Sequence, residues 1–171
     1  MFTIRHEKPS DFDSVYEINK LAFQSSSEAD LVNLLRKNDL SAISLVAETD
    51  SRIIGHILFT EAKIVSQFKT IHGMALAPMS VHPDFQNRGI GQILVNHGLS
   101  IVQEKNSPFV IVLGHPNYYP RFGFEIASKH NIKPQWEGIP DEAFMILILN
   151  RDLLYGVKGT AFYRQEFNPV L

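Results

Sequence analysis

Hydrophobic positions change period several times along the chain, and each change predicts an element. Residues 2–6 alternate like a short strand. Pro9-Ser10-Asp11 offers a helix start with Ser10 or Asp11 as cap, and Val15, Ile18, Leu21 and Ala22 follow at helical spacing. Ser25-Ser26-Ser27 interrupts, and a second helix is predicted over 28–37, with Ala29, Leu31, Val32, Leu34 and Leu35 apolar. The period then changes. Residues 43–48 and 53–59 read as a hairpin around the polar turn Thr49-Asp50-Ser51-Arg52. Gly55 inside the second strand marks a bulge or a close backbone approach, and 63–65 extend that strand past a kink. Residues 72–81 are apolar but contain Pro78, which cannot donate to a ladder, so an edge or bulged strand is predicted there. Ile90, Ile93, Leu94, Val95, Gly98, Ile101 and Val102 fit one helix ending near Asn106. Phe109 to Leu113 form a continuous apolar run, hence a buried strand. A short helix over 118–122 and strands over 124–127 and 144–149 follow, and an aromatic tail (Phe162, Tyr163, Phe167) is expected to pack back on the sheet. The fold class is α/β (α+β), a mixed central sheet flanked by helices. Its parallel crossover runs from residue 81 through the long helix to residue 109 and should be right-handed.

Composition narrows the function classes. With 171 residues, 44% hydrophobic and 20% charged, the chain reads as one globular domain over 1–171, with a core of about 2–150 and a C-terminal aromatic extension over 151–171. Sixteen Lys+Arg against eighteen Asp+Glu give a charge of -2, and the pI is near 6.4. That balance lacks the basic stripe that nucleic-acid binding requires. The absence of cysteine excludes disulfides, thiolate nucleophiles and Cys-ligated metals, and fits a cytoplasmic protein. The charged N-terminus shows no signal peptide, and no apolar run approaches the ~18 residues of a membrane span. The seven histidines show no metal-ligand spacing, so no metal is expected.

One stretch carries chemistry: Met79-Ser80-Val81-His82-Pro83-Asp84-Phe85-Gln86-Asn87-Arg88-Gly89-Ile90-Gly91. A strand runs into a turn with two glycines, and the turn opens a helix. The first N–H groups of a helix and its positive dipole end form an anion site. Glycine permits close approach of a phosphate, and Arg88 adds a forked contact. The pattern suits a diphosphate. Two nucleotide readings fail: Gln92-Ile93 stands where a Walker loop needs Lys-Ser/Thr, and Leu94 where the dinucleotide fingerprint needs its third glycine.

Gln86-x-x-Gly89-x-Gly91 does resemble the acyl-CoA pyrophosphate loop of the GNAT superfamily of N-acetyltransferases. The preceding V-x-P-x-x-Q, the helix that follows, the order of elements and Tyr119-Pro120-Arg121-Phe122-Gly123-Phe124, similar to that superfamily's late Y-x-x-x-G-F, extend the likeness over residues 2–149. The resemblance implies a bulged fourth strand over 73–82 splayed from the fifth, with acetyl-CoA as cosubstrate. It implies cofactor contacts from Met79, Ser80 and Val81 through backbone groups, and from Gln86, Asn87, Arg88, Gly89, Ile90, Gly91 and Gln92 to the pyrophosphate. Val112 stands where many members carry an Asn, and Asn117 is a local substitute. It implies direct attack of a neutral amine, from a small molecule or a protein, on the thioester, with Tyr119 as general acid to the leaving thiolate. The general base has no family motif; Glu28, Glu61 and His72 are the candidates. His115 is a plausible substrate contact, and Trp136 either lines the acceptor site or packs in the core. A catalytically silent acyl-CoA-binding module is the alternative, and a monomer or homodimer is expected.

Overall fold

The computed structural model describes residues 1–39, 41–50 and 52–168. Ser51 of the expected hairpin turn and the last three tail positions lie outside the described residues. The strands are β1 (Thr3–His6), β2 (Ile43–Thr49), β3 (Arg52–Ser66), β4 (Thr70–Val81), β5 (Phe109–Leu113), β6 (Glu125–Ile126), β7 (Ile132–Pro134), β8 (Phe144–Ile148) and β9 (Gly159–Phe162). The helices are α1 (Phe12–Phe23), α2 (Ser27–Asn38), α3 (Ile90–Glu104) and the single turn α4 (Arg151–Leu154). Strands neighbour in the order β1-β2-β3-β4-β5-β8-β6, with β9 on β3 and β7 on β9. Pairing is parallel for β4–β5 and β7–β9 and antiparallel for β1–β2, β2–β3, β3–β9, β5–β8 and β6–β8. The fold is the mixed α/β sheet flanked by helices that the periodicity implies.

The structure decides three expectations. Of the two alternatives at Pro78, the edge is excluded, because β4 lies between two neighbours. The β4–β5 register covers only Met74↔Val110 and Ala75↔Ile111 and has ended before it. Burial along β4 also slips phase there: Ile71, Gly73 and Ala75 are buried, then Leu76, Pro78 and Ser80. Two adjacent residues on one face are the mark of a bulge, as the resemblance implies. Secondly, the strand does extend through 63–65, as one unbroken strand over 52–66. Thirdly, the helix expected over 118–122 is only a 3-10 turn at Tyr119–Phe122, closed by Gly123 at φ +90°.

The chain packs as two compact units. The first spans Met1–Thr60, Ala77–Ser100 and Gln165–Leu171. Here β3 is covered on both faces. A Cβ at Gly55 would lie 3.2 Å from Ile90 Cγ2 and 3.0 Å from Leu94 Cδ1, so the glycine lets α3 lie close on the strand. The next residue, His56, points the other way, to Asn19 of α1. Phe59 fills the space over Gly98, and both are buried.

His56 is fully buried and belongs to a hydrogen-bonded chain. Arg36 Nη2 donates to Glu7 Oε1 at 2.6 Å, and the Ser44 hydroxyl donates to Glu7 Oε2 at 2.8 Å. With its hydrogen committed, Ser44 Oγ accepts from His56 Nε2 at 3.0 Å. His56 Nδ1 is then the acceptor for the Asn19 amide at 3.2 Å, an assignment fixed by the network. That amide also donates to Val15 O at 2.9 Å. Burial, helped by the Arg36 charge, lowers the imidazole to about 3 and keeps it neutral.

The second unit spans Glu61–Leu76 and Ile101–Arg164. A Cβ at Gly73 would lie 2.6 Å from the ring of Phe109, so β4 and β5 meet through a glycine and an aromatic face. The tail contributes β9, which pairs with Lys63–Ser66 of β3 and with β7.

Candidate active site

In the first unit the site begins where β4 ends. His82 N–H donates to Ile54 O at 2.9 Å, and Pro83–Phe85 turn the chain. The Gln86 side chain donates to Val81 O at 3.0 Å, so the loop is tied back to its own strand. Gln86 therefore shapes the loop. Asn87 (φ +60°) and Gly89 (φ +81°) take left-handed conformations that turn the backbone into α3. The first helical bond runs from Ile93 N to Gly89 O at 3.1 Å. The N–H groups of Ile90, Gly91 and Gln92 precede it and have no acceptor within the helix. Space above Gly89 is open: a Cβ there meets nothing within 4 Å. This geometry suits an anion.

Arg88 lies over the Phe85 ring at 5.3 Å, and Arg52, from the start of β3, lies over the same ring at 5.5 Å. Arg52 Nη2 also donates to His82 Nε2 at 2.9 Å. Among the described residues neither arginine pairs with a carboxylate, so both add positive charge beside the loop. Arg52 carries no sequence signal; only the strand pairing brings it here. Met79 and Val81 are half-buried, whereas Ser80 is buried and its Oγ has no hydrogen-bond partner among the described residues. Glu28 stands in the first turn of α2, half-buried, with Oε2 buried and lacking such a partner.

In the second unit Tyr119 opens the 3-10 turn after β5 and is 7% exposed. Its ring lies against Gly114, where a Cβ would come within 2.3 Å of Cε2. Burial, with the neighbouring Tyr118, pushes its phenol well above the ordinary value, so it stays protonated at neutral pH. Tyr118 packs edge-on against it at 5.2 Å and carries the Arg121 guanidinium at 4.6 Å. Asn117 and His115 are exposed; the Asn117 carbonyl accepts from Arg121 at 3.4 Å. Glu61 and His72, separate candidates in sequence, form one exposed pair at 2.8 Å. Val112 is buried. Trp136 stacks on Tyr163 at 5.2 Å, a neighbour the sequence could not supply. Among the described residues no three His, Cys, Asp or Glu side chains converge as a metal site, and no helix is long and apolar enough to cross a membrane.

Known proteins resemble this chain in sequence and fold. Escherichia coli N-acetyltransferase YhbS is 33% identical over 166 residues, which covers 96% of this chain and 98% of that protein. The crystal structure of YhbS in complex with CoA superposes with a TM-score of 0.89, covering 98% of this chain and 92% of that one. A GNAT family acetyltransferase from Brucella melitensis in complex with acetyl-CoA is 27% identical, with a TM-score of 0.77 and coverage of 98% and 99%. The family model for the GNAT acetyltransferase domain matches residues 3–127, from β1 through the strand, loop and helix described above and past Tyr119. The chain therefore belongs to the GNAT acetyltransferase family.

Proposed function

We propose that the protein transfers an acetyl group from acetyl-CoA to a primary amine, of a small molecule or of a protein, by direct attack in a ternary complex. The observation that carries this reading is the loop from Gln86 to Gly91, with its open Gly89 and three leading helix N–H groups. Relatives that share the fold are described in complex with CoA and with acetyl-CoA. Residues Gln86 to Gln92 fit a pyrophosphate: the backbone supplies donors, Arg88 supplies charge and no Cβ at Gly89 blocks approach. Met79, Ser80 and Val81 would meet the pantetheine arm, with Asn117 a further contact. Acetyl-CoA supplies the acetyl group as an activated thioester. Tyr119, kept protonated by burial, supplies the proton to the departing sulfur. Of the three base candidates Glu28 is favoured, because one of its oxygens is buried without a hydrogen-bond partner whereas Glu61 and His72 engage each other at the surface.

The test is release of CoA thiol from acetyl-CoA with a panel of amines, run on the wild type and on Tyr119→Phe. Acceptor-dependent release, lowered in Tyr119→Phe at unchanged CoA affinity, is the expected result. CoA binding without release for any amine would instead assign a silent acyl-CoA-binding module.

A further inference from the structure

In the second unit a cleft of about 440 Å³ opens where β7 and β9 begin, lined by Ser128, Asn131, Lys133, Lys158, Gly159 and Thr160. None of these residues belongs to the site proposed for acetyl transfer. Small-molecule sites span roughly 300–1,000 Å³, so the cleft has room for a compact ligand. Its frame is fixed by backbone bonds. Gly159 N–H donates to Asn131 O at 3.1 Å, next to the register pair Ile132↔Gly159. Asn131, left-handed at φ +59°, turns the 3-10 helix Ala127–His130 into β7, and its N–H donates to Ser128 O at 3.0 Å. A Cβ at Gly159 would fall 2.4 Å from Val65 O, so β9 lies tight against β3.

The walls are polar and basic. Ile132 is buried and Lys133 exposed, and the register sets Lys133 beside Thr160. Lys158 is exposed at the same cleft. Among the described residues neither lysine has a carboxylate within ion-pair distance, and the Asn131 amide and Thr160 hydroxyl have no hydrogen-bond partner. Two acids of this region are engaged: Asp141 Oδ2 accepts from the Ser128 hydroxyl at 2.9 Å, and Glu125 Oε2 lies 2.8 Å from His130 Nε2. Two free ammonium groups and two neutral donors thus line one cleft, in a chain of net charge -2. The repulsion between two ammonium groups turns into attraction when an anion lies between them. A phosphomonoester suits this set better than a carboxylate does. It brings a charge of about -1.5 to -2 and three acceptor oxygens to two cations.

We propose that this cleft is a second ligand site, which takes the phosphate group of a small phosphomonoester. Lys133 and Lys158 neutralise its charge, and Asn131 and Thr160 donate to its remaining oxygens. The concave shape selects a small molecule over a nucleic-acid backbone, which calls for an extended basic stripe. The site is built from the second unit's own residues and is independent of the acetyl-transfer reading.

Calorimetry on the full chain tests this, with inorganic phosphate and glucose 6-phosphate as probes at constant ionic strength. CoA is present at saturation, so that the loop from Gln86 to Gly91 is not what is titrated. Wild type is expected to bind at least one probe with a Kd of about 1 mM or tighter. Lys133→Gln/Lys158→Gln should weaken that binding roughly tenfold or more, because charge-assisted hydrogen bonds are lost. Both lysines are exposed, so this variant is expected to fold. Lys105→Gln/Lys129→Gln removes the same charge from exposed positions outside the cleft and should bind as wild type does. Tighter binding of glucose 6-phosphate assigns a phosphorylated small molecule, and equal binding assigns free phosphate; either supports an anion site. No binding of either probe, or equal weakening in the two double variants, would overturn the inference. Binding of a single-stranded RNA but of neither small probe would also overturn it, in favour of a nucleic-acid surface.

Discussion

Acid should begin to destabilise this protein through His56, before its carboxylates titrate. His56 is neutral in the folded state because burial and Arg36 lower it from 6.5 to about 3. The unfolded chain binds a proton at 6.5, so between those values the unfolded state holds more protons than the folded one. Stability is therefore full above pH 6.5 and falls as the pH drops toward 3. The slope approaches about 1.4 kcal/mol per pH unit, hence about 2 kcal/mol by pH ~5 and at most about 5 kcal/mol if the folded state survived to its own titration. Domains of this kind have only about 5–15 kcal/mol in total, so unfolding is expected before His56 is protonated in place. The assay is denaturant unfolding of wild type and His56→Gln at pH values from about 7 to about 5. Gln can accept from the Asn19 amide and donate to Ser44 without titrating, so the variant removes the slope whatever it does to the absolute stability. Groups titrating alike in both proteins cancel in the difference. Parallel curves for the two proteins over that range would refute the buried-neutral assignment.

Three further outcomes are expected. Gly89→Glu should abolish CoA binding, by charge and bulk, in a folded protein, because a Cβ there meets nothing within 4 Å. Gly156→Glu, with φ +68° and the same open surroundings, is the control for backbone strain; equal CoA affinity in both variants, measured by calorimetry, would mean the loop is misassigned. Gln86→Leu should raise the KM for acetyl-CoA several-fold with kcat little changed, since it frees the loop from Val81 O; steady-state kinetics showing the reverse pattern would contradict that role. Gly98→Ala should cost about 1–3 kcal/mol in chemical denaturation, because the new Cβ falls 2.2 Å from Phe59 Cε2 in a packed core; an unchanged midpoint would show that Phe59 can move.

The parts of the fold that were legible in the sequence are those whose signal is local. The helix α3 repeats its apolar positions over four turns, and β5 is an unbroken apolar run, so both were placed closely. The phosphate loop was legible because glycines at fixed spacing between strand and helix reflect a backbone requirement. Pro78 left an edge and a bulge equally open, because its missing donor says only that one hydrogen bond is absent, not which neighbour lacks it. β7 and β9 are three and four residues long and exist through their pairing with each other and with β3, which no window of sequence contains. The same limit explains the site. Tyr119 stands inside a motif, whereas Trp136 meets Tyr163 only through the pairing of β7 with β9. Glu61 and His72 became one pair only once the register of two strands was known.

The pairing of β9 bears on how the chain tolerates being shortened. β2 accompanies β3 as far as Ile43↔Phe59, and β9 begins at Lys63↔Phe162. The family match ends at residue 127, yet residues 159–162 supply the ladder partner for Lys63–Ser66 and for β7. Trimming the chain after residue 150 would leave those N–H and C=O groups of β3 as a template for any passing strand, with Ile64 and Val65 beside them. The tail is thus a guard against edge-to-edge aggregation, and solubility, before activity, is what its removal would compromise.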